Sequence, residues 1–291
     1  MPQASFPPPN ACDCHVHVVG PKLRFPLAER RSYTPMDAPL PALRAHLARL
    51  GIDRVVIVQP SFYGVDNSCM VAALAELGPA ARGVVALAID TPAAELDSLH
   101  RVGVRGIRLN LASLGSTTPD KLATLLHGTA QLCARNGWHI QVFMHAEALR
   151  SVDDALRQVG VPIVIDHFGL VNPAEPDGPA ARALLKLLES GRVWVKVSAP
   201  YRIAEDLDDP KVRAFAERLV RTNHERLVWG TDWPHTPVHG ASPVHDDGEM
   251  PYREMDTAKL LRLLPTWCLE PQQVEDILVH NPARLYGFGD G

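Results

Sequence analysis

Short apolar segments alternate with helical patterns eight times along this chain of 291 residues. Each segment has the length and β-branched content of a buried strand, and apolar residues at helical spacing follow it. Repeated strand–helix units build a parallel sheet, and eight such units are the number that closes a (β/α)8 barrel. The sequence therefore predicts an α/β protein, a TIM barrel formed by residues 1–291 as one domain.

The predicted strands are Ala11–Val18, Arg54–Gln59, Gly83–Ile89, Val104–Leu111, Trp138–Met144, Pro162–His167, Arg192–Ser198 and Arg226–Asp232. No Gly-x-Gly-x-x-Gly run follows any of them, which argues against an open, doubly wound sheet with a phosphate-binding turn. Among the helices, Thr91 is expected to be an N-cap, with Pro92 at the first helical position.

Composition excludes several classes of partner. The net charge of −4 provides no basic surface for nucleic acid, and no apolar run has the length of a membrane span. The five cysteines are scattered rather than arranged as a disulfide framework, which favours a reducing cytoplasm. The N-terminal residues lack the basic and apolar segments of a signal peptide. The expected location is therefore cytoplasmic, and the chain is expected to be a monomer or a homo-oligomer.

The first strand contains a His-x-His pair. Strict alternation along a strand places Asp13, His15 and His17 on one face and directs Cys12 and Cys14 to the other. Two imidazoles on one face can point at the same metal ion or substrate oxygen, and a mixed Cys/His zinc site is not expected. The simpler alternative is a buried strand with two hydrogen-bonded histidines.

Polar side chains collect where the other strands end, which is the active-site face of a barrel of this type. They are Arg108, Asn110, Gln141, His145, His167, Lys196, Ser198 and Asp232. For Lys196 and Asn110 the simpler interpretation is a hydrogen-bonded residue in the barrel wall. The long loop after the eighth strand carries His235, His239 and His245, and for the last two a solvated surface position is favoured.

These residues resemble the amidohydrolase superfamily, and within it the 2-pyrone-4,6-dicarboxylate lactonases. The resemblance runs nearly end to end. It is carried by Asp13-Cys14-His15-Val16-His17, Tyr63-Gly64-Val65-Asp66-Asn67, Gly103-Val-Arg-Gly-Ile-Arg108-Leu-Asn110, Asp166-His167, Trp194-Val-Lys-Val-Ser198, Pro200-Tyr-Arg202, Trp229-Gly-Thr-Asp-Trp-Pro-His235 and Asn281-Pro-Ala-Arg-Leu-Tyr-Gly287.

The resemblance implies an enzyme that opens an anionic lactone by attack of water. Asp232 would be the general base, and His15, His17 and His167 would surround the lactone carbonyl and stabilise its oxyanion. Substrate contacts would come from Arg108, Arg202, Tyr201, Gln141, Phe143 and His235, with the two arginines holding a substrate carboxylate.

This sequence departs from the lactonase pattern at three positions. Arginines expected in the family are replaced by Leu114 and Leu170, and Phe143 stands where the family has a tyrosine. A dicarboxylate would therefore lose cationic partners, unless arginines of the first loop replace them; these are Arg24, Arg30 and Arg31. We expect a substrate with one well-held anionic group.

The resemblance leaves metal use open. Many amidohydrolases bind zinc, and His15, His17, His167 and Asp232 are the set that would hold it here. The lactonases resembled work without metal, and Phe143 rather than His145 occupies the fifth-strand ligand position. We therefore favour catalysis with no metal and no cofactor. The alternatives are a zinc-dependent decarboxylase, a lactone isomerase and a non-catalytic binding barrel.

Overall fold

The computed structural model describes residues 6–112, 119–149, 159–237 and 248–289. Eight parallel strands follow one another around one sheet in chain order, as predicted. They are β1 (Cys12–Val16), β2 (Arg54–Val58), β3 (Ala81–Val85), β4 (Val104–Asn110), β5 (His139–Phe143), β6 (Ile163–Ile165), β7 (Val193–Ser198) and β8 (Leu227–Gly230). The third strand ends earlier than predicted. The backbone N–H of Ala86 donates to Asn67 Oδ1 and is therefore not available to pair with a neighbouring strand.

The sheet closes into a barrel between its first and last strands. The backbone N–H of Asp232 donates to the His15 carbonyl oxygen at 2.8 Å, and that of His17 donates to the Trp233 carbonyl oxygen at 2.8 Å. We call this junction the seam. It brings the His-x-His pair and Asp232 side by side through backbone hydrogen bonds.

Helices cover the outside of the barrel. They are α1 (Leu40–Leu50), α2 (Ser68–Leu77), α3 (Ala93–Arg101), α4 (Pro119–Arg135), α5 (Pro179–Glu189), α6 (Pro210–Asn223), α7 (Thr257–Trp267), α8 (Pro271–Glu275) and α9 (Asn281–Tyr286), with a π-helical turn between the last two. None in the described ranges is long and apolar enough to span a membrane.

The predicted cap of α3 is wrong by one residue. Pro92 itself occupies the N-cap position, and the Thr91 hydroxyl donates to the carbonyl oxygen of Ala88 instead of to the helix. Proline at this position already has an extended backbone, so the helix begins at Ala93 without a side-chain cap.

The first strand does not alternate as predicted. Asp13 pairs with Val55 and Val16 with Ile57, so one extra residue of β1 stands opposite β2. Such a β-bulge breaks the alternation of faces. His15 and His17 point into the barrel as expected, but Asp13 faces α1, where His46 lies 3.7 Å from its carboxylate.

Because of the same bulge, the predicted outward direction of the two cysteines is wrong. Cys12 and Cys14 pack with apolar residues of the barrel interior, together with Tyr286 and Phe288 from the C-terminus. This C-terminal segment covers the amino-terminal ends of the strands, because Arg54 and Arg82 donate to its backbone carbonyls. The cysteines therefore lie below the histidines, in the apolar base of the barrel.

A short two-stranded ribbon was not predicted. Thr34–Pro35 pairs in parallel with Glu249–Met250, and Lys22 forms an ion pair with Glu249 at 2.7 Å. This ribbon joins the first loop to the loop that follows β8. Pairing between segments more than two hundred residues apart leaves no local sequence signal, since each strand is only two residues long.

Gly230 is predicted to be essential at the seam. A Cβ atom there would lie 2.8 Å from the backbone nitrogen of His15 and 2.9 Å from its Cβ atom. We expect Gly230→Ala to lower the free energy of unfolding by about 1–3 kcal/mol, because the backbone cannot yield to the added methyl group. Urea denaturation measures this change.

The matched control is Gly160→Ala, because a Cβ atom at that position has no neighbour within 4 Å among the residues that the structure describes. That variant should keep the wild-type unfolding midpoint. Equal midpoints for the Gly230 and Gly160 variants would contradict the tight packing at the seam.

Candidate active site

Asp232 lies two residues after the end of β8, at the carboxyl end of the barrel, and is fully buried. Its backbone is in the left-handed region, with φ of 65°. Its Oδ2 atom accepts hydrogen bonds from Tyr201 Oη at 2.9 Å and from Arg202 Nε at 2.7 Å. The Oδ1 atom accepts none from the residues that the structure describes. One carboxylate oxygen is therefore anchored and the other faces the site.

Three histidines surround the Oδ1 atom of Asp232. The Nε2 atoms of His15, His17 and His167 lie 3.7, 3.5 and 3.8 Å from it. The other ring nitrogens are engaged: His17 Nδ1 donates to the Val58 carbonyl oxygen at 2.7 Å, and His167 Nδ1 lies 2.9 Å from Ser198 Oγ. The structure thus brings together the four residues that the sequence analysis placed at the reaction centre.

The charges of these groups follow from their surroundings. Burial opposes ionisation of Asp232, but the charge of Arg202 outweighs it and holds the pKa of this carboxyl well below its usual value. Burial lowers the pKa of His167 to about 4, and burial together with Lys196 lowers the pKa of His15. Near neutral pH, Asp232 is therefore a carboxylate, and His15 and His167 are uncharged.

Arg202 and Tyr201 contact the predicted base. The guanidinium of Arg202 also donates to Thr236 Oγ1 at 2.7 Å, and Tyr201 Oη lies 3.1 Å from His235 Nδ1. Three of the six residues predicted to contact substrate therefore form one hydrogen-bonded group around Asp232. Their substrate contacts stay a prediction.

Arg108 and Phe143 line the narrow cleft above the histidines, together with Tyr33. Arg108 donates to the carbonyl oxygen of Gln59 at 2.8 Å, and its guanidinium lies 5.8 Å from the centre of the Phe143 ring. Arg108 Nε has no hydrogen-bond partner among the described residues. As a buried cation that lines the cleft, Arg108 can pair with an anion that enters it.

Gln141 lies below the cleft rather than on its surface. Its amide donates to Asp166 Oδ2 at 3.1 Å and accepts from Lys196 Nζ at 2.7 Å. Asp166 also lies 3.3 Å from His15 Nδ1 and 3.9 Å from Arg108 Nε. These buried polar residues form the floor of the site.

Sequence reasoning gave Asp166 no role and assigned Lys196 to the barrel wall. A usable signal is present for both, because Asp166 stands two residues after Val164, immediately beyond the end of β6, and Lys196 stands two residues after Trp194 within β7. That spacing directs each polar side chain to the face of its apolar neighbour in the barrel interior.

Asp13 supports the site from outside the barrel. Its carboxylate accepts from the backbone N–H of Thr231 at 2.9 Å, from the Thr231 hydroxyl at 2.6 Å and from the backbone N–H of His15 at 3.2 Å. One side chain on β1 therefore holds the residue that precedes Asp232. The bulge that turns Asp13 outward makes this contact across the seam.

Other candidates lie away from this cleft. His145 is exposed, and Leu170 lines a separate groove beside Ala146 and Glu147. Arg31 donates to Thr34 and to the Ala28 carbonyl oxygen, while Arg24 lies over the ring of Phe25. Arg30 is exposed. Leu114, His239 and His245 lie outside the described residues.

The donor set at the centre fits a metal ion in composition. Ligand atoms of His15, His167 and Asp232 all lie within 4.8 Å of one another. The Asp232 Oδ1 and His15 Nε2 atoms are both buried and make no hydrogen bond in the part of the chain that is described. Imidazole and carboxylate are the usual zinc ligands, so these residues can hold a divalent cation.

Comparison with known proteins agrees with this geometry. The amidohydrolase family model matches residues 12–288. The chain is 34% identical over 294 residues to 2-pyrone-4,6-dicarboxylate hydrolase of Comamonas testosteroni, covering 96% of this chain and 90% of the relative. It is 35% identical over 286 residues to 4-sulfomuconolactone hydrolase of Rhizobium radiobacter, covering 96% and 91%.

A crystal structure of an Agrobacterium tumefaciens protein superimposes with a TM-score of 0.82 at 26% identity, covering 98% of each chain. The family match spans all eight barrel strands and the residues that meet at the seam. On this evidence, the chain belongs to the amidohydrolase family.

Proposed function

We propose that this protein is a lactone hydrolase that opens the ester bond of a small anionic lactone. The observation that carries the proposal is the ionised Asp232, whose Oδ1 atom faces the Nε2 atoms of three buried histidines. The relatives from Comamonas and Rhizobium are both named as hydrolases of carboxylated or sulfonated lactones. Together these findings favour ester hydrolysis by a base and an oxyanion site.

The chemistry begins at Asp232 Oδ1. This oxygen takes a proton from water while the water oxygen bonds to the lactone carbonyl carbon. The carbonyl electron pair moves to its oxygen and forms a tetrahedral oxyanion. Collapse of this intermediate breaks the bond to the ring oxygen, which takes the proton back from Asp232. Water is consumed and an open-chain hydroxy acid is formed.

The histidines act on the oxygen that gains charge. His15 and His167 are uncharged and buried, so a hydrogen bond from them to the oxyanion strengthens as the negative charge develops. The hydrogen bond from Arg202 to Asp232 Oδ2 fixes the orientation of the carboxylate. A lactone is an activated ester, and a fixed base with a polarised carbonyl is sufficient for its hydrolysis.

Substrate selection is proposed to depend on Arg108. Both Arg108 and Arg202 line the cleft, but Arg202 donates directly to Asp232 at 2.7 Å, whereas the nearest carboxylate oxygen to Arg108 Nε is that of Asp166 at 3.9 Å. Leu170 lies in another groove. In the first loop, Arg31 donates to Thr34 and Arg24 lies over the ring of Phe25. These placements favour a substrate with one firmly held carboxylate over a dicarboxylate.

Where a metal is used, His15, His17, His167 and Asp232 would hold it, and it would polarise the carbonyl and acidify water. We favour the metal-independent reaction, because the exposed His145 supplies no ligand from the fifth strand. A zinc-dependent decarboxylase would need that metal, a lactone isomerase would return a lactone as product, and a non-catalytic barrel would show no turnover.

The first test is hydrolysis of a monocarboxylated lactone by wild-type protein and by Asp232→Asn. We expect the variant to lose at least about 100-fold in kcat, because general-base catalysis contributes about that much or more. Binding of the lactone should persist, since Arg108 is unchanged. Absorbance of the ring measures turnover, and calorimetry measures binding.

Asp97→Asn is the matched control, because Asp97 forms a surface ion pair with Arg135 far from the cleft. It should retain wild-type kcat. Wild-type turnover by Asp232→Asn would remove the proposed base. Equal kcat/KM for 2-pyrone-4,6-dicarboxylate and the monocarboxylated lactone would contradict the proposed single anion site.

The pH profile tests the electrostatics of the base. Since the pKa of Asp232 is held low and that of His167 is about 4, kcat/KM should stay constant from pH 8 down to about pH 5. Arg202→Met removes the cation that keeps Asp232 ionised, so its pKa rises and the acidic loss of activity begins at higher pH. Stopped-time assays corrected for uncatalysed hydrolysis measure both profiles.

Arg213→Met, which removes an exposed arginine paired with Glu217, should leave the profile unchanged. An identical profile for wild type and Arg202→Met would show that Arg202 does not set the charge of the base.

Metal dependence is tested on protein purified without added metal. We expect substoichiometric zinc by elemental analysis and full lactonase activity after dialysis against a chelator. Stoichiometric zinc together with loss of activity on chelation, restored by added zinc, would assign the histidines and Asp232 as ligands instead.

A further inference from the structure

Lys196 is a fully buried lysine that the proposed reaction does not use. It projects from β7 into the barrel directly below His15. A buried ammonium must place all three of its protons on acceptors, because it has no lone pair with which to accept a hydrogen bond. The identity of those acceptors determines what Lys196 does to the residues above it.

The Nζ atom of Lys196 lies near four acceptors, one of which is the carboxylate oxygen Asp166 Oδ1 at 3.6 Å. It donates to the Cys14 carbonyl oxygen at 2.8 Å and to Gln141 Oε1 at 2.7 Å. The third contact is His15 Nδ1 at 3.3 Å. Because the ammonium can only donate, a hydrogen bond between these two atoms makes His15 Nδ1 the acceptor, and the single proton of the uncharged imidazole then resides on Nε2.

Asp166 favours the opposite tautomer. Its Oδ1 atom also lies 3.3 Å from His15 Nδ1 and would accept a proton from it. Within the described ranges, however, Asp166 Oδ1 makes no hydrogen bond. Lys196 Nζ, in contrast, lies within hydrogen-bond distance of His15 Nδ1. At the other end of the ring, Nε2 lies 3.7 Å from Asp232 Oδ1, and a proton there suits the neighbouring carboxylate.

We propose that Lys196 is a positioning residue that fixes His15 in the Nε2–H tautomer and thereby makes it a hydrogen-bond donor to the reaction centre. His17 has the opposite arrangement, because its Nδ1 donates to the Val58 carbonyl oxygen. The His-x-His pair therefore presents one donor and one acceptor to the cleft, although the two rings look alike in the sequence.

This asymmetry also disfavours a metal ion. A metal bound by the His-x-His pair needs an Nε2 lone pair on both rings, and metal-bound histidines usually donate their other nitrogen to an acceptor. At His15 Nδ1 the donor Lys196 competes with Asp166, the carboxylate that would otherwise accept there. Donation by His15 to the oxyanion rests on the proposed function, but the tautomer itself does not.

The decisive experiment is a nitrogen NMR spectrum of wild-type protein labelled with 15N only in histidine. The His15 signals are identified by their loss in His15→Gln. We expect His15 Nδ1 to resonate as an unprotonated nitrogen and Nε2 as a protonated one. A protonated Nδ1 with an unprotonated Nε2 would overturn the proposal, and so would an imidazolium with both nitrogens protonated.

A second experiment removes the donor. Lys196→Met leaves Asp166 as the neighbour of His15 Nδ1, so the proton should move to Nδ1 and leave a lone pair on Nε2. We then expect zinc affinity, measured by competition with a chromophoric chelator, to rise on the order of 10–100-fold. Unchanged zinc affinity in a folded variant would contradict the proposal.

Asp166→Asn is the matched control, because it alters the floor of the site but keeps the Lys196 donor. It should keep the Nε2–H tautomer and wild-type zinc affinity. The wild-type spectrum decides the tautomer even where Lys196→Met fails to fold. It needs no substrate, so absence of lactonase activity would refute the proposed function without affecting this result.

Discussion

The site depends on the seam that closes the barrel between β1 and β8. Backbone hydrogen bonds between His15 and Asp232 and between His17 and Trp233 place the base beside the His-x-His pair. Asp13 adds side-chain bonds to Thr231 across the same junction. Barrel closure and assembly of the reaction centre are therefore one structural event, and the residues concerned cannot move independently.

The bulge in β1 makes this arrangement compatible with an apolar interior. With strict alternation, Asp13 would share the barrel interior with the histidines and add another carboxylate to a site that already holds Asp232. The extra residue turns Asp13 toward α1 and leaves Cys14 in the apolar base. Bulges of this kind are typical of active-site strands, because they redirect side chains without ending the sheet.

Buried charge is balanced in two layers. Asp232 pairs with Arg202 near the cleft, and Asp166 lies between Lys196 and Arg108 below it. Removing one partner of such a buried pair costs about 3–5 kcal/mol, because the remaining charge is left uncompensated. The two layers meet at His15, which contacts a carboxylate of each. The ring of His15 thus couples the floor of the site to the base.

Strained backbone is concentrated at the same place. His167, Asp232 and His235 all have φ between 48° and 69°, in the left-handed region that side chains rarely occupy. His167 and Asp232 each lie two residues after the end of a strand and line the cleft, and His235 lies in the loop that follows Asp232. Hydrogen bonds hold these positions: Asp232 N–H donates to the His15 carbonyl oxygen, His235 N–H donates to the Asp232 carbonyl oxygen, and His167 Nδ1 lies 2.9 Å from Ser198 Oγ.

The sequence by itself determined the eight strands and the face on which they carry polar residues. These follow from local periodicity and from the rule that parallel strands end at one edge. The resemblance to the amidohydrolases then singled out four of those polar residues as the predicted centre. Only the tertiary structure decided that Asp13 turns outward, that Arg202 pairs with Asp232, and that Gln141 lies below the cleft. Those outcomes depend on the register between distant strands and on competition for buried charge, and neither leaves a trace in the spacing of residues along the chain.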